Sequence, residues 1–218
     1  MLVNVRMKGN EYNKIVRNDC YNVQQWVDGT LDAIFDIGAN IGIFSVMMKM
    51  RHPNAKIIAV EPLQSANKFI KRNIHAHGIY LEEKAFGNGQ TFHFYNRGHI
   101  LDSIYSPDEH GEAIESIALG DLFSKHECSL DDRYLMKFNC EGGERYLIGD
   151  EIAEKILYHA REVTMQVHFK TQFTNFDSWL NFEDYDKWIK STFTHHKIAS
   201  NTRWNKRGTT HYTISWTE

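Results

Sequence analysis

A formal net charge of −3 over 218 residues excludes a chain built to coat nucleic acid, and a hydrophobic fraction of 42% excludes disorder while supplying enough apolar surface for a substantial core. No apolar run nears the roughly 20 residues that a bilayer crossing needs, and Met1–Arg6 carries no apolar stretch of the kind that opens a signal peptide. The three cysteines, Cys20, Cys128 and Cys140, are widely spaced and form no C-x-x-C; this suits a reducing compartment, and a cytoplasmic location is expected.

In chain order, residues 11–28 have helical spacing and close on Asp28-Gly29, which predicts a helical cover over residues 1–30 ahead of one domain spanning 31–218. Ala33-Ile34-Phe35 reads as a strand, Gly38 to Gly42 as a tight turn and Ile43 to about Met50 as a helix that stops before Pro53. The methionines of that helix are expected to pack against the sheet. Lys56–Val60 is a second strand ending in Glu61-Pro62, and a helix follows over about Leu63–His77 with Gly78 as its stop. Ile79–Glu82 begins a third strand. Thr91–Tyr95 alternates, and with Gly87-Asn88-Gly89 before it suggests a hairpin; residues 96–113 read as a long polar loop. A short helix from Ala118, a strand over Tyr134–Phe138 and a helix over 150–161 with Ile152, Ile156 and Leu157 inward come next. The remainder is a strand over Val163–Phe169, a helix over about 178–190, and a closing strand pair at His196–Ala199 and Thr210–Trp216. Strands alternating with helices and ending in a hairpin specify an α/β fold, a doubly wound Rossmann-like sheet that is mostly parallel with an antiparallel C-terminal strand.

In such a sheet ligands sit beyond the carboxyl ends of the strands. There the chain places a glycine-bearing turn and, at the end of the second strand, a carboxylate able to accept hydrogen bonds from both hydroxyls of a ribose. This is an adenosine-binding arrangement. A dinucleotide fold wants G-x-G-x-x-G, whereas the frame here is Gly38-x-Asn40-x-Gly42, with Asp36 two residues earlier. An acidic strand end repels a diphosphate and suits the ammonium of an amino-acid moiety, so charge favours S-adenosylmethionine over NAD. Asp36, Gly38, Asn40 and Gly42 are expected along its methionine part, Glu61 at the ribose and Glu83 at the adenine.

Phe35-Asp36-Ile37-Gly38-Ala39-Asn40-Ile41-Gly42, Val60-Glu61-Pro62, Ala85-Phe86-Gly87 and Met136-Lys137-Phe138-Asn139-Cys140-Glu141-Gly142-Gly143-Glu144 together resemble the successive motifs of FkbM-type methyltransferases. The resemblance runs from about Phe35 to Phe169. It implies an S-adenosylmethionine-dependent enzyme that methylates hydroxyl groups on sugars or natural products, with Asn139 to Glu144 beside the methyl sulfonium. Two positions depart from the family: Asn139 stands where it usually has aspartate, and Gln166 where it often has glutamate. Both changes remove a carboxylate, which opens the alternative of a cofactor-binding homologue with weakened or lost turnover. An NAD-dependent oxidoreductase is a further alternative, disfavoured by Asn40 and Asp36.

Methyl transfer to an unactivated hydroxyl needs alignment and a base. Topology puts His168 on the ligand side, as the expected base, with Glu141 and with Asn139 able to orient a hydroxyl; Glu144 can favour the N-terminus of the segment that follows. The twelve histidines are scattered, and their close pairs His75/His77 and His195/His196 have no Cys or Glu in ligand spacing, so no dedicated metal site is expected. Metal assistance at a hydroxyl flanked by Asn139, Glu141 and His168 stays open as a lesser alternative. The loop 201–208, with Arg203, Trp204, Lys206 and Arg207, suits a sugar ring or a phosphorylated acceptor. The partner expected is a small polar acceptor, with long nucleic acid and membranes disfavoured.

Overall fold

The computed structural model describes residues 21, 30–63, 66, 70–73, 77–96, 103–106, 112–169, 181–201 and 209–216. A seven-stranded sheet has the order β10-β11-β9-β8-β1-β2-β3. Its strands are β1 (Ala33–Ile37), β2 (Lys56–Val60), β3 (Tyr80–Glu82), β8 (Tyr134–Phe138), β9 (Glu162–His168), β10 (His196–Asn201) and β11 (Thr209–Trp216). All neighbours pair in parallel except β11, which runs antiparallel to both β9 and β10. The expected mostly parallel sheet with an antiparallel C-terminal strand is thus what forms. The central strands are near-continuous apolar runs because helices cover both faces.

α1 (Ile43–Arg51) starts on Gly42 in the left-handed region, buries Phe44 and Met48, and ends at His52 before Pro53. Met50 is 66% exposed, so of the methionines in this helix it is Met48 that seats on the sheet and Met50 that faces out. The helix expected over 63–77 lies partly outside the described residues; residues 70–73 are helical, and Ala66 and Ile70 are buried. Of the cover expected over 1–30, only Tyr21 and Thr30 are described.

The opposite face carries α2 (Leu119–Lys125), α3 (Glu151–His159) and α4 (Phe182–Thr192). Asp150 caps α3 by accepting from the N–H groups of Ile152 and Ala153. That cap sets the helix phase: Ala153, Ile156 and Leu157 turn inward, and Ile152, expected inward, is 64% exposed. Asn181 and Asp184 form a capping box on α4. Trp188 Nε1 donates to Glu154 Oε1 at 2.8 Å, joining α4 to α3.

Between β3 and β8 the chain builds a second sheet of order β4-β7-β5-β6, from β4 (Ala85–Phe86), β5 (Thr91–Asn96), β6 (Ser103–Ser106) and β7 (Glu112–Ile117). The stretch 96–113 is therefore not simply an irregular loop: it holds β6 and the start of β7. The hairpin expected around Gly87–Gly89 is also rearranged, since β5 pairs with β6 and β7 while β4 pairs with β7. Among the described residues no helix is long and apolar enough to cross a membrane.

Candidate functional site

The carboxyl ends of β1, β2, β8 and β9 converge on three consecutive groups of polar residues. The first is the turn after β1. Gly38, Asn40 and Gly42 all take positive φ, at 77°, 52° and 80°. At Gly38 a side chain is excluded twice, by this backbone and by contact: an added Cβ would collide with the backbone carbonyl oxygen of Asn139, just past β8. The N–H groups of Gly38 and Ala39 donate to the Val60 carbonyl at 2.9 and 3.0 Å, tying the turn to the end of β2.

Glu61 sits against this turn. Its Oε2 accepts from the Asn40 N–H at 2.7 Å and its Oε1 from the Leu63 N–H at 3.0 Å. Burial raises its pKa above the ordinary value even though both N–H groups oppose that shift. One oxygen on each side is already oriented by backbone, which leaves lone pairs fixed in direction for a diol.

The second group lies beneath the turn. Asp36 is fully buried, and its two oxygens accept from Ser45 Oγ at 2.6 Å and Lys137 Nζ at 2.9 Å. Asp36 and Lys137 are register partners on β1 and β8. The ammonium also donates to the carbonyls of Gly38 at 2.7 Å and Ile37 at 3.3 Å, and lies 5.4 Å from the ring centroid of Tyr21. Burial alone would push the Lys137 pKa down, but Asp36 overcomes it and holds the group charged. The ammonium-pairing role expected of Asp36 is thus met inside the protein by Lys137, and Asp36 supports the turn from below.

The third group follows β8. Glu141 and Gly142 take positive φ, 53° and 104°, reversing the chain. Glu144, with no exposed surface, accepts from the N–H groups of Cys140 at 3.0 Å and Gly142 at 2.8 Å. His168 Nδ1 lies 3.1 Å from Glu144 Oε1, and its Nε2 lies 3.4 Å from Glu141 Oε2. Burial disfavours the imidazolium, yet the two carboxylates prevail and push the His168 pKa up to about 9. Burial likewise works against the Glu144 anion, but His168 and the backbone N–H groups leave its pKa below the ordinary value. At neutral pH His168 is therefore a cation with both nitrogens protonated, and the base expected at this residue has no lone pair to offer. Glu141, with 44% of its side chain exposed, is the member of the group that faces out.

Asn139 joins the second and third groups. Its Nδ2 donates to the Tyr21 hydroxyl at 3.0 Å, while its Oδ1 is buried with no partner among the described residues. A buried acceptor left without a donor is uncommon. Glu83, expected at the adenine, is instead half exposed and paired with Lys71 at 2.7 Å. Its neighbour Glu82 is the buried one, and its carboxylate meets Lys125 at 2.7 Å and His126 at 2.9 Å. The basic loop 202–208 lies outside the described residues. Among the described residues no cluster of three or more His, Cys, Asp or Glu could hold a metal ion.

Two participants carry no role in the sequence reading, Lys137 and Tyr21. For Lys137 a signal exists, since a lone charge inside Tyr-Leu-Met-Lys-Phe must find a buried partner. Tyr21 contacts Asn139 across 118 positions, and nothing local announces it.

No protein-family model matches the chain. It is 38% identical over 63 residues to methyltransferase sdnD of Sordaria araneosa, which is 29% of this chain and 24% of that protein. It is 32% identical over 68 residues to methyltransferase 1 of Beauveria bassiana, which is 31% of this chain and 26% of that protein. The chain thus spans about a quarter of the length of these curated relatives. Among solved structures it resembles methyltransferase FkbM from Methylobacillus flagellatus KT with a TM-score of 0.55 and 14% identity, over 89% of this chain and 46% of that one. The fold is the Rossmann-like methyltransferase fold, as the FkbM-type resemblance implied.

Proposed function

We propose that the chain is an S-adenosylmethionine-dependent methyltransferase that methylates a hydroxyl of a small polar acceptor, a sugar or a phosphorylated compound. The observation that carries this is Glu61, a buried carboxylate oriented by the Asn40 and Leu63 N–H groups beside the Gly38–Gly42 turn. A carboxylate held this way could accept from both hydroxyls of a ribose, next to a backbone that a ligand can approach closely. The matches to two fungal methyltransferases over short segments, and the fold itself, support the same reading.

The residues fit the cofactor at both ends. Glu61 would take the ribose hydroxyls, while Gly38, Asn40, Gly42 and the orphaned Oδ1 of Asn139 would border the amino-acid part. Bound there, the cofactor supplies an electrophilic methyl group. The protein's share is alignment and removal of the hydroxyl proton. His168, charged and held between two carboxylates, positions Glu141. Glu141 would then accept the proton that the acceptor hydroxyl loses.

Calorimetric titration with S-adenosylhomocysteine, with NAD as control, tests the cofactor. Selective binding of the former is expected; NAD binding alone would replace this reading with an oxidoreductase. The amides at Asn139 and Gln166 favour one second reading, a homologue that binds cofactor with weakened turnover. A large gain of activity in an Asn139→Asp, Gln166→Glu variant would establish that reading, and a loss would show adaptation to a different acceptor.

A further inference from the structure

Tyr21 lies 118 positions from Asn139 and is 5% exposed. Its ring meets Phe44 of α1 edge-on at 5.6 Å and His211 of β11 edge-on at 5.6 Å. The Lys137 ammonium sits 5.4 Å from the ring centroid. One side chain from the N-terminal segment is therefore seated among α1, β8 and β11. His211 on its far side is neutral at physiological pH, because burial pushes its pKa down to about 4, and its Nε2 is engaged with Thr164 Oγ1 at 2.6 Å. The Tyr21 ring thus has a fixed seat, and its hydroxyl accepts from Asn139 Nδ2 at 3.0 Å.

That bond determines which end of the amide is left over. With Nδ2 committed to Tyr21, Oδ1 is the atom that remains, buried and with no partner among the described residues. A buried carbonyl oxygen without a donor is costly, and such atoms are rare unless something fills them. Asn139 also lies hard against the Gly38 turn, whose missing Cβ would occupy the Asn139 backbone carbonyl. A donor reaching Oδ1 thus belongs to whatever rests on that turn.

We infer that Tyr21 is a positioning residue of the cofactor site, holding the Asn139 amide so that Oδ1 receives a hydrogen bond from the α-ammonium of the bound cofactor. The inference rests on the S-adenosylmethionine reading above. The Lys137 charge does not repel that ammonium strongly, because Asp36 neutralises it at 2.9 Å.

The test is calorimetric titration of the full chain with two probes. S-adenosylhomocysteine carries the ammonium, and 5′-methylthioadenosine has the same nucleoside without the amino-acid part. In Asn139→Leu, affinity for S-adenosylhomocysteine falls about tenfold or more, the scale of a hydrogen bond to a charged group. In Tyr21→Phe, which keeps the ring and its packing, it falls by a smaller factor of about threefold or more. Methylthioadenosine binding changes less than about twofold in both. Asn139→Asp retains S-adenosylhomocysteine binding, since either carboxylate oxygen can take the ammonium while the other accepts from Tyr21. Unchanged S-adenosylhomocysteine affinity in both Asn139→Leu and Tyr21→Phe overturns the inference, as does an equal loss for both probes, which would mark general damage to the pocket. If the wild type binds methylthioadenosine or S-adenosylhomocysteine and the variants match it, only this inference falls. If the wild type binds neither, the cofactor reading falls and takes the inference with it.

Discussion

Replacing Lys137 with methionine should be among the most damaging substitutions this fold can suffer. Lys137 is 3% exposed and its ammonium holds three acceptors: Asp36 Oδ1 at 2.9 Å, the Gly38 carbonyl at 2.7 Å and the Ile37 carbonyl at 3.3 Å. Methionine fills most of the volume but leaves Asp36 fully buried, with Ser45 Oγ at 2.6 Å as its remaining side-chain donor among the described residues. Removing one partner of a buried pair costs about 3–5 kcal/mol. Urea denaturation of Lys137→Met at pH 7 should therefore show a loss of about 3–5 kcal/mol with an unchanged slope. A double variant, Asp36→Asn with Lys137→Met, leaves no charge behind and should be more stable than Lys137→Met alone. A loss under about 1 kcal/mol, or a double variant worse than the single one, would each refute the claim that this pair supports the turn.

Three other outcomes follow from the same geometry. The His168 pKa is raised from 6.5 to about 9, so its contribution to stability is full below about pH 6.5 and is lost as pH rises through 9; denaturation of the wild type between pH 6 and 10 should show this loss, and His168→Gln should not. Glu61→Ala should weaken S-adenosylhomocysteine binding by roughly 1.5–3 kcal/mol by calorimetry, the range for a hydrogen bond to a charged group, and unchanged affinity would remove the ribose assignment. Gly38→Ala combines positive φ with a backbone collision and should cost about 2–4 kcal/mol in urea denaturation; a near-neutral result would mean that the β1 turn and β8 do not abut.

Where the signal was local, the sequence was legible. The turn after β1 could be read because glycine spacing, an apolar strand and a helical period sit within a dozen residues, and the end of β2 because Glu61-Pro62 closes an apolar run. The antiparallel ending was visible as two alternating runs with a basic loop between. Failures came where one residue changes a face or where partners are far apart. Glu82 and Glu83 are adjacent at a strand end, and the pairing of Val60 with Glu82 decides which turns inward. β7 was missed because Glu112 and Glu115 interrupt its apolar pattern, and the strand covers only a small sheet. Ile152 was misassigned because helix phase depends on the Asp150 cap. For His168, no spacing reveals that two carboxylates flank it, at 3.1 and 3.4 Å.

Formal charge around the Gly38–Gly42 turn is close to balanced. Asp36 and Lys137 cancel at 2.9 Å, so the buried lysine, which taken alone would attract an anion to the turn, exerts little field beyond it. In the segment after β8, Glu141 and Glu144 are matched in number by His168, at 3.4 Å and 3.1 Å, and by Arg145. Glu61, against the turn, is held by the N–H groups of Asn40 and Leu63. A pyrophosphate resting on the turn would therefore meet the Glu61 carboxylate without the excess of cations that a diphosphate asks for, whereas a cationic group there would meet attraction.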